Sequence, residues 1–490
     1  MSTQMQENIS LEEQAAAERE RKQYIKMTQT PIAKLVISLG IPTMLSMMVT
    51  SLYNLADTMF LSMLGDDSIT AAVSNLLALM SIIQAVGFTF GMGSGAIVSK
   101  RLGKRDRHGA NQVASSAFFV AAGCGLVILI CGYLFMTPLL QVLGSREQPV
   151  FGYSQEYARW VLISAPFMCM SFVLNNILRA EGKATLSMIG LVVGAIINVG
   201  LDPLLIFGLK LGVTGAALAT CISQCISFNV LLFMFLARKT IVRLSPRSLG
   251  KTFATYGQII ATGFPSFCRQ ILASLCTVFL NNAALTHGGA AAQASFGVVQ
   301  KVFMLAFSIS LGIGQGYQPV LGYNYSAKRF DRVKKSYLFT LAFSTSLMIM
   351  FGTVCGIFAP QVMKMFSLSD KATQIGTLTL RLQCIAMPLL PVNFMAGVTY
   401  QVVGNKISAT LLAVSRQGLF YIPAVLILPN VFQLLGVQMC QALADACAFV
   451  FAIPFTILFF KGLNKASAQA ALSGENTTEK SIQAGQVWDE

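Results

Sequence analysis

Residues 35–64 read LVISLGIPTMLSMMVTSLYNLADTMFLSML, a run of 30 residues in which Asp57 is the one charged side chain. A helix needs about 20 mostly apolar residues to cross the hydrocarbon core of a bilayer. Runs of this length recur as far as Phe460. The 490-residue chain is 54% hydrophobic and 11% charged, with a mean hydropathy of +0.65, whereas soluble domains carry about 25% charged residues. The sequence therefore predicts an all-α polytopic membrane protein.

The charge of the segments between these runs predicts the topology. Basic segments alternate with neutral or mixed ones: KRLGKRDR (100–107), ARKTIVRLSPRSLGK (237–251) and NYSAKRFDRVKK (324–335) are basic, whereas LGDDSIT (64–70) and THGGA (286–290) are not. Short basic loops stay in the cytoplasm. We therefore expect twelve transmembrane helices, with both termini in the cytoplasm.

The two halves of the sequence resemble each other. GIP at 40–42 recurs as GFP at 263–265, and GMGSG at 91–95 recurs as GIGQG at 312–316. A period of about 222 residues corresponds to six spans, so a pseudo-two-fold axis along the membrane normal should relate two six-helix lobes. Such halves are typical of alternating-access transporters, and a duplicated bundle with a purely structural role is the alternative.

This repeat predicts a domain organisation and a role for the glycines. The predicted parts are an N-terminal tail (1–30), an N-lobe (31–236), a basic linker (237–252), a C-lobe (253–461) and a C-terminal tail (462–490). GMGSG followed by Ala96 also matches a relaxed dinucleotide-binding fingerprint, but that motif needs a preceding strand and this one lies in an apolar run. Small residues let transmembrane helices approach closely, so we interpret both glycine motifs as packing elements.

Two acidic residues of the N-terminal half stand inside apolar sequence. Asp57 lies in the first run, and Asp202 follows IGLVVGAIINVGL (189–201). A carboxylate at the bilayer centre costs about 2.5–3.5 kcal/mol on insertion scales, so it usually faces a cavity and acts on ions or substrate. The alternative is that the two acids cap helices near the membrane interface. We favour an ion-coupling site in the N-lobe.

Polar residues at helical spacing support such a site. Asn198 lies one turn before Asp202 on the same helix face, and Tyr53 lies one turn before Asp57. Asn175 in the fourth span and Thr220 in the sixth complete the predicted polar pocket. The C-terminal half lacks matching acids and carries bases instead, namely Arg269, Lys301, Arg381 and Arg416, with Asp445 as its intramembrane acid.

A cluster of methionine and aromatic residues in the C-terminal half contains Met304 and Phe307. Methionine and aromatic side chains can repack around varied apolar ligands, which makes both residues candidates for a substrate cavity. The alternative is that each contacts lipid or packs in the core.

Other functional classes find little support. The net charge of +15 is spread over short loops and not gathered on one domain, so no nucleic-acid partner is expected. The eleven cysteines show no CxxC spacing, the two histidines lie in predicted loops, and no metal site or cofactor is expected. GxSxG, HExxH and Walker-type motifs are missing from the sequence, which argues against an enzyme or an ATP-driven pump.

Four motifs together resemble the family of multidrug and toxic compound extrusion (MATE) transporters. They are YNLADTMFLSMLG (53–65), LRAEG (178–182), NVGLDPLLIF (198–207) and LGVTGAALATCISQ (211–224). The resemblance covers about 31–461 and is greatest to the DinF-like prokaryotic branch. It implies a monomeric antiporter of the prokaryotic inner membrane, with a V-shaped pair of lobes that exports cationic, amphipathic drugs, antibiotics among them, against H⁺ or Na⁺. A lipid-linked oligosaccharide flippase of related architecture is the alternative.

The resemblance also implies roles for individual residues. Asp57 and Asp202 match the N-lobe coupling carboxylates of the family, and Asn198 and Thr220 match their hydrogen-bonding neighbours. Three further matches, Tyr53, Tyr157 and Asn175, line the same cavity, and Pro42 matches a proline at which the first helix is expected to bend. The sequence lacks the C-lobe acids of the NorM branch, so either H⁺ or Na⁺ is expected to bind at Asp57 and Asp202.

Overall fold

The computed structural model describes residues 3–64, 67–145, 147–250, 252–366 and 369–472, so the end of the predicted C-terminal tail lies outside it. Within these ranges the regular elements are all helical. The α-helices are α1 Thr3–Gln29, α2 Ile32–Ser62, α3 Asp67–Gly103, α4 Arg107–Leu134, α5 Met136–Val142, α6 Val150–Ala180, α7 Ala184–Pro203, α8 Gly212–Leu236, α9 Phe253–Ser326, α10 Phe330–Ile357, α11 Ala359–Lys364, α12 Asp370–Ala386, α13 Leu390–Val403, α14 Lys406–Val414 and α15 Ile422–Leu472. Two π-helical segments, Leu204–Gly208 and Ser415–Tyr421, continue α7 and α14.

Ten helical stretches of the described chain are long and apolar enough to cross a membrane. Two of them are far too long for one crossing, because α9 has 74 residues and the stretch Lys406–Ala470 has 65. Gly289 (φ 68°, ψ −167°) breaks α9, and Gln433 (φ 52°, ψ −130°) breaks α15. Each break divides one stretch into two crossings, which gives the twelve spans that the sequence predicts. The first break lies inside the predicted loop 286–290.

The buried apolar residues divide between the two lobes. One large core is formed almost entirely by α2 to α8, and two further cores are formed almost entirely by α9 to α15. Each set of six spans therefore packs around its own interior, as expected for two lobes.

Glycines from the two repeated motifs join the lobes. A Cβ atom on Gly316 in α9 would lie 2.6 Å from the Cα of Gly40 in α2. The pseudo-symmetric contact joins α3 to the first half of α9, where a Cβ on Gly93 would lie 2.9 Å from the backbone nitrogen of Gly263. Only glycine permits backbones this close. We call these four residues the glycine seam. Since α3 is helical throughout, GMGSG is a packing element and not a phosphate loop.

Helix α1 lies across one end of both lobes. The Arg105 guanidinium of the N-lobe lies 4.7 Å from the centre of the Tyr24 ring. From the C-lobe, Arg329 donates to the Thr28 carbonyl at 3.0 Å and Arg332 donates to the Thr30 carbonyl at 2.6 Å. Segment 1–30 therefore contains a packed helix where the sequence predicts a tail.

The same end of the molecule carries the three basic segments. Arg19 of α1 donates to the carbonyl of Arg238 in the linker at 2.8 Å. The Phe460 ring of α15 lies 5.2 Å from the Tyr337 ring near the start of α10, so the described end of the chain is also here. We call this end the basic face; the positive-inside rule predicts that it is cytoplasmic.

Glu181 anchors the linker between the lobes. This fully buried carboxylate accepts hydrogen bonds from the backbone amides of Ile241 and Val242, at 2.9 and 2.8 Å. It also forms an ion pair with Lys183 at 2.9 Å. The linker is therefore held to the turn between α6 and α7.

We expect Glu181→Ala to open the linker. Two buried amides would lose their acceptor, and each such loss costs about 1–3 kcal/mol. Cleavage of the linker by trypsin, followed by gel electrophoresis, should be at least about tenfold faster, because such cleavage tracks the population of the open form. Glu147→Ala, which removes an exposed carboxylate, is the control; an unchanged cleavage rate in Glu181→Ala would contradict the anchoring role.

Candidate functional site

The predicted ion-coupling residues come together from three helices of the N-lobe. Asp57 lies on α2, Asn198 and Asp202 on α7, and Thr220 on α8. Helix α7 packs against both α2 and α8, which brings these positions to one site. The carboxylates of Asp57 and Asp202 are close enough to interact electrostatically with each other.

The polar atoms of this site are buried and unsatisfied. Asp202 is 0% and Asn198 1% exposed, and Asp57 is partly buried. Five atoms have no hydrogen-bond partner among the described residues: Oδ1 of Asp57, both carboxylate oxygens of Asp202, and both side-chain amide atoms of Asn198. A buried polar atom without a partner costs about 1–3 kcal/mol. The cluster is therefore suited to bind a proton or a small cation, which would satisfy its oxygens.

Two tyrosines face the same carboxylates. The Tyr53 hydroxyl lies beside the Gln224 side chain, and the hydroxyl of Tyr157, itself 1% exposed, lies beside Thr220. Both phenol groups are close enough to the carboxylates of Asp57 and Asp202 to interact electrostatically with them. Asn175 is also buried, but its amide donates to the Ser187 carbonyl at 3.1 Å and so joins α6 to α7.

Sequence reasoning missed Gln224, although it follows Thr220 by one turn of α8. It also missed the π-helical segment Leu204–Gly208, which begins two residues after Asp202. Pro203 between them has no N–H to donate, so the regular helical hydrogen bonding is interrupted there. π-Helical segments occur frequently at functional sites. The backbone that follows Asp202 is therefore irregular.

Helix α2 is continuous through Pro42, the predicted hinge. Proline cannot donate to the carbonyl one turn earlier, so the helix is weaker at this position. The hydroxyls nearby bond other carbonyls, because Thr43 donates to the Leu39 carbonyl and Ser46 to the Pro42 carbonyl, each at 2.7 Å. The Ser38 carbonyl, which loses its helical donor at Pro42, is not among their acceptors. The hinge role of Pro42 stays a prediction.

The two predicted residues of the C-lobe cavity are placed differently. Phe307 lines a cavity in the C-lobe together with Arg269 and Arg416. Met304 is 50% exposed and stands outside that lining. The structure thus brings one of the two candidates to a cavity, and it adds two arginines that the sequence places within apolar runs.

Comparison with known proteins gives matches over both halves. The MatE family model matches residues 42–204 and 265–427. The multidrug export protein MepA of Staphylococcus haemolyticus (strain JCSC1435) is 26% identical over 430 residues, which covers 88% of this chain and 94% of that protein.

Two solved structures are also similar. The crystal structure of MATE in complex with MaL6 has a TM-score of 0.86 and 27% identity, and covers 91% of this chain and 99% of its own. The outward-facing conformation of a multidrug resistance MATE family transporter of the MOP superfamily has a TM-score of 0.85 and 26% identity, and covers 90% and 98%.

Proposed function

This chain belongs to the MatE family of multidrug and toxic compound extrusion transporters, and we propose that it is a secondary active antiporter that exports cationic, amphipathic drugs in exchange for H⁺ or Na⁺. Its relatives are named as multidrug export proteins. Efflux by a carrier, and not enzymatic turnover, is the activity that we assign to it.

The buried carboxylate pair carries this proposal. Asp57 and Asp202 stand in the membrane-spanning part of the N-lobe with acceptor atoms that lack partners in the described chain. An intramembrane acid is expensive and is usually retained for ion or substrate traffic. Protonation or Na⁺ binding would remove one negative charge from the pair and so weaken its attraction for a cationic drug.

The proposed cycle uses that competition. An ion enters the Asp57 and Asp202 cluster from the outer side, and the drug leaves because the negative charge that attracts it is lowered by one. The lobes then rock, the basic face opens, and the ion dissociates into the cytoplasm while a new drug binds. Ion and drug are coupled because each has a different affinity for the two states. We place a bend at Pro42 in the outward step.

The cycle defines the remaining assignments. The N-lobe (31–236) couples the ion, the C-lobe (253–461) contributes the other wall of the drug pathway, and the linker (237–252) joins them. The basic face lies in the cytoplasm and the protein functions as a monomer in a prokaryotic inner membrane. A flippase for lipid-linked oligosaccharides is the alternative, and the acids of the N-lobe disfavour it because they would repel pyrophosphate.

Reconstituted vesicles test the proposal. The full chain is inserted into liposomes, and transport of ethidium is followed by fluorescence while a pH gradient or a Na⁺ gradient is imposed separately. We expect one of the two gradients alone to drive ethidium against its own gradient. Transport that follows neither gradient would refute ion-coupled antiport.

A further inference from the structure

The C-lobe contains a cavity that the proposed coupling mechanism does not use. Its lining combines two arginines, Arg269 on α9 and Arg416 in the π-helical segment Ser415–Tyr421, with two phenylalanines, Phe307 and Phe394. The Arg269 guanidinium lies 5.2 Å from the centre of the Phe394 ring. All four residues belong to spans, so the two charges stand within the membrane-crossing part of the chain.

One of these arginines has a partner of opposite charge. The Arg416 Nε donates to Oδ1 of Asp445 at 2.6 Å, and the two side chains are 11% and 1% exposed. Gln441 donates to the same oxygen at 3.0 Å. The Arg416 guanidinium also lies 5.1 Å from the Phe303 ring centre and 5.6 Å from that of Phe307. This pair is one positive and one negative charge, and so is neutral.

The cavity carries one net positive charge, that of Arg269. The Arg269 Nη2 donates a long hydrogen bond, 3.5 Å, to the Ser266 hydroxyl. The lining of the cavity contains no carboxylate among its described residues. A guanidinium in a membrane-spanning helix is expensive unless it meets an anion or water. The cavity therefore has the electrostatic character of an anion site.

Polar atoms without partners lie at the same cavity. The Nη2 of Arg416 and the Oγ of Ser310 are buried, belong to lining residues, and have no hydrogen-bond partner among the described residues. Both can donate a hydrogen bond. Together with the planar donor fork of Arg269 they form a set suited to an oxyanion, since guanidinium groups bind carboxylate and phosphate oxygens in a bidentate manner.

We propose that the C-lobe cavity binds the oxyanion group, carboxylate or phosphate, of an amphipathic substrate. Arg269 and Arg416 bind the anionic group, and the phenylalanines contact the apolar body. The transporter then accepts zwitterionic or acidic amphiphiles as well as cations. This deepens the proposed function and rests on it, because the N-lobe site and the C-lobe site would lie on one drug pathway.

Paired dyes that differ only in the carboxylate test the idea. Rhodamine B has a free carboxylate, which its ethyl ester lacks. Equilibrium binding to the purified full chain in a neutral detergent is measured by fluorescence polarisation. We expect tighter binding of the acid by the wild type. In Arg269→Gln we expect about tenfold weaker binding of the acid but not of the ester, because the variant loses a charge-assisted hydrogen bond to the carboxylate. Equal binding of acid and ester, or an equal loss for both in the variant, would overturn the proposal.

Two further variants serve as the control and as the substitute for Arg269→Gln. Arg381→Gln makes the same change on an exposed arginine of the C-lobe and should leave the preference for the acid intact. If Arg269→Gln does not fold, the double variant Arg416→Gln/Asp445→Asn removes a neutral pair without leaving a buried charge behind. It should also weaken binding of the acid selectively, and an unaffected preference would count against the site.

The source of the oxyanion is decided by competition. Displacement of rhodamine B by short-chain phosphatidylglycerol, but not by phosphatidylcholine, would assign the site to the phosphate of an anionic lipid. Displacement by neither lipid would assign it to the carboxylate of a drug-like acid. Failure of gradient-driven ethidium transport, with selective binding of the acid intact, would refute the antiporter and leave this site standing. Gradient-driven ethidium transport, together with equal binding of acid and ester, would refute this site alone.

Discussion

Asp57→Asn and Asp202→Asn are each expected to reduce ion-driven efflux at least about tenfold, while the protein still inserts and folds. The coupling free energy between two ligands of a carrier is typically about 1–3 kcal/mol, which corresponds to a 5–150-fold change. An asparagine side chain has nearly the shape of an aspartate side chain, but it carries no charge and takes up no proton near neutral pH. The variant should therefore lose the dependence of drug affinity on the ion.

Stability measurements separate this effect from misfolding. The Asp202 side chain is fully buried and has no hydrogen-bond partner among the described residues. Its replacement by a neutral amide removes a desolvated charge, and such a change is neutral or stabilising. We therefore expect the thermal unfolding temperature of Asp202→Asn in detergent to equal or exceed that of the wild type, although efflux is lost.

A double variant and a surface variant complete the test. If the two carboxylates act as one unit, Asp57→Asn/Asp202→Asn should be no worse than either single variant, because effects of coupled residues are not additive. Asp331→Asn, which changes an exposed carboxylate in the first turn of α10, should retain full efflux. Wild-type efflux in both single variants would show that coupling occurs elsewhere.

Sequence periodicity and charge predicted those parts of the fold that depend on local chemistry. Apolar runs and basic loops gave the twelve spans, because insertion depends on hydropathy and on loop charge. The matched motifs GMGSG and GIGQG predicted a packing element, since small side chains are the condition for close helix contact. Their actual partners are the other repeated motifs, Gly263 and Gly40. That pairing needed the three-dimensional arrangement of the lobes.

Long-range partners could not be predicted in the same way. The pair of Arg416 and Asp445 joins residues on two different spans, and no spacing rule connects them. Helix α1 is mostly polar and resembles a tail, yet Met27 and Thr28 are fully buried against the basic face. Within the N-lobe site, Asp57 and Asp202 were visible as charges in apolar runs. Gln224 was not, because no charged residue lies one turn away from it on its own helix, as Asp202 does from Asn198.

Gly316→Ala is expected to open the basic face and to lower efflux at least about tenfold. The added Cβ would lie 2.6 Å from the Cα and 2.7 Å from the nitrogen of Gly40. Both are backbone atoms, so neither can rotate away, and helices α2 and α9 must separate. Overpacking of this kind costs about 1–3 kcal/mol. In an alternating-access cycle the cost falls only on the state in which this face is closed, so the population shifts towards the open state.

Gly297→Ala is the matched control, because Gly297 lies in the same helix α9 with no neighbouring atom within 4 Å of the added Cβ. There the substitution should be neutral or stabilise the helix by up to about 1 kcal/mol.

Hydrogen–deuterium exchange of the peptides around Gly40 and Gly316 measures closure of the seam, and ethidium efflux measures function. Faster exchange at the seam in Gly316→Ala alone, together with reduced efflux, would identify these contacts as the closure of the basic face. If exchange and efflux stayed at wild-type values, the lobes would not need this contact in order to cycle. The pseudo-symmetric variant Gly93→Ala should repeat the effect, since its Cβ would collide with the carbonyl oxygen of Ile259. Agreement between the two variants would show that both halves of the seam close the same face.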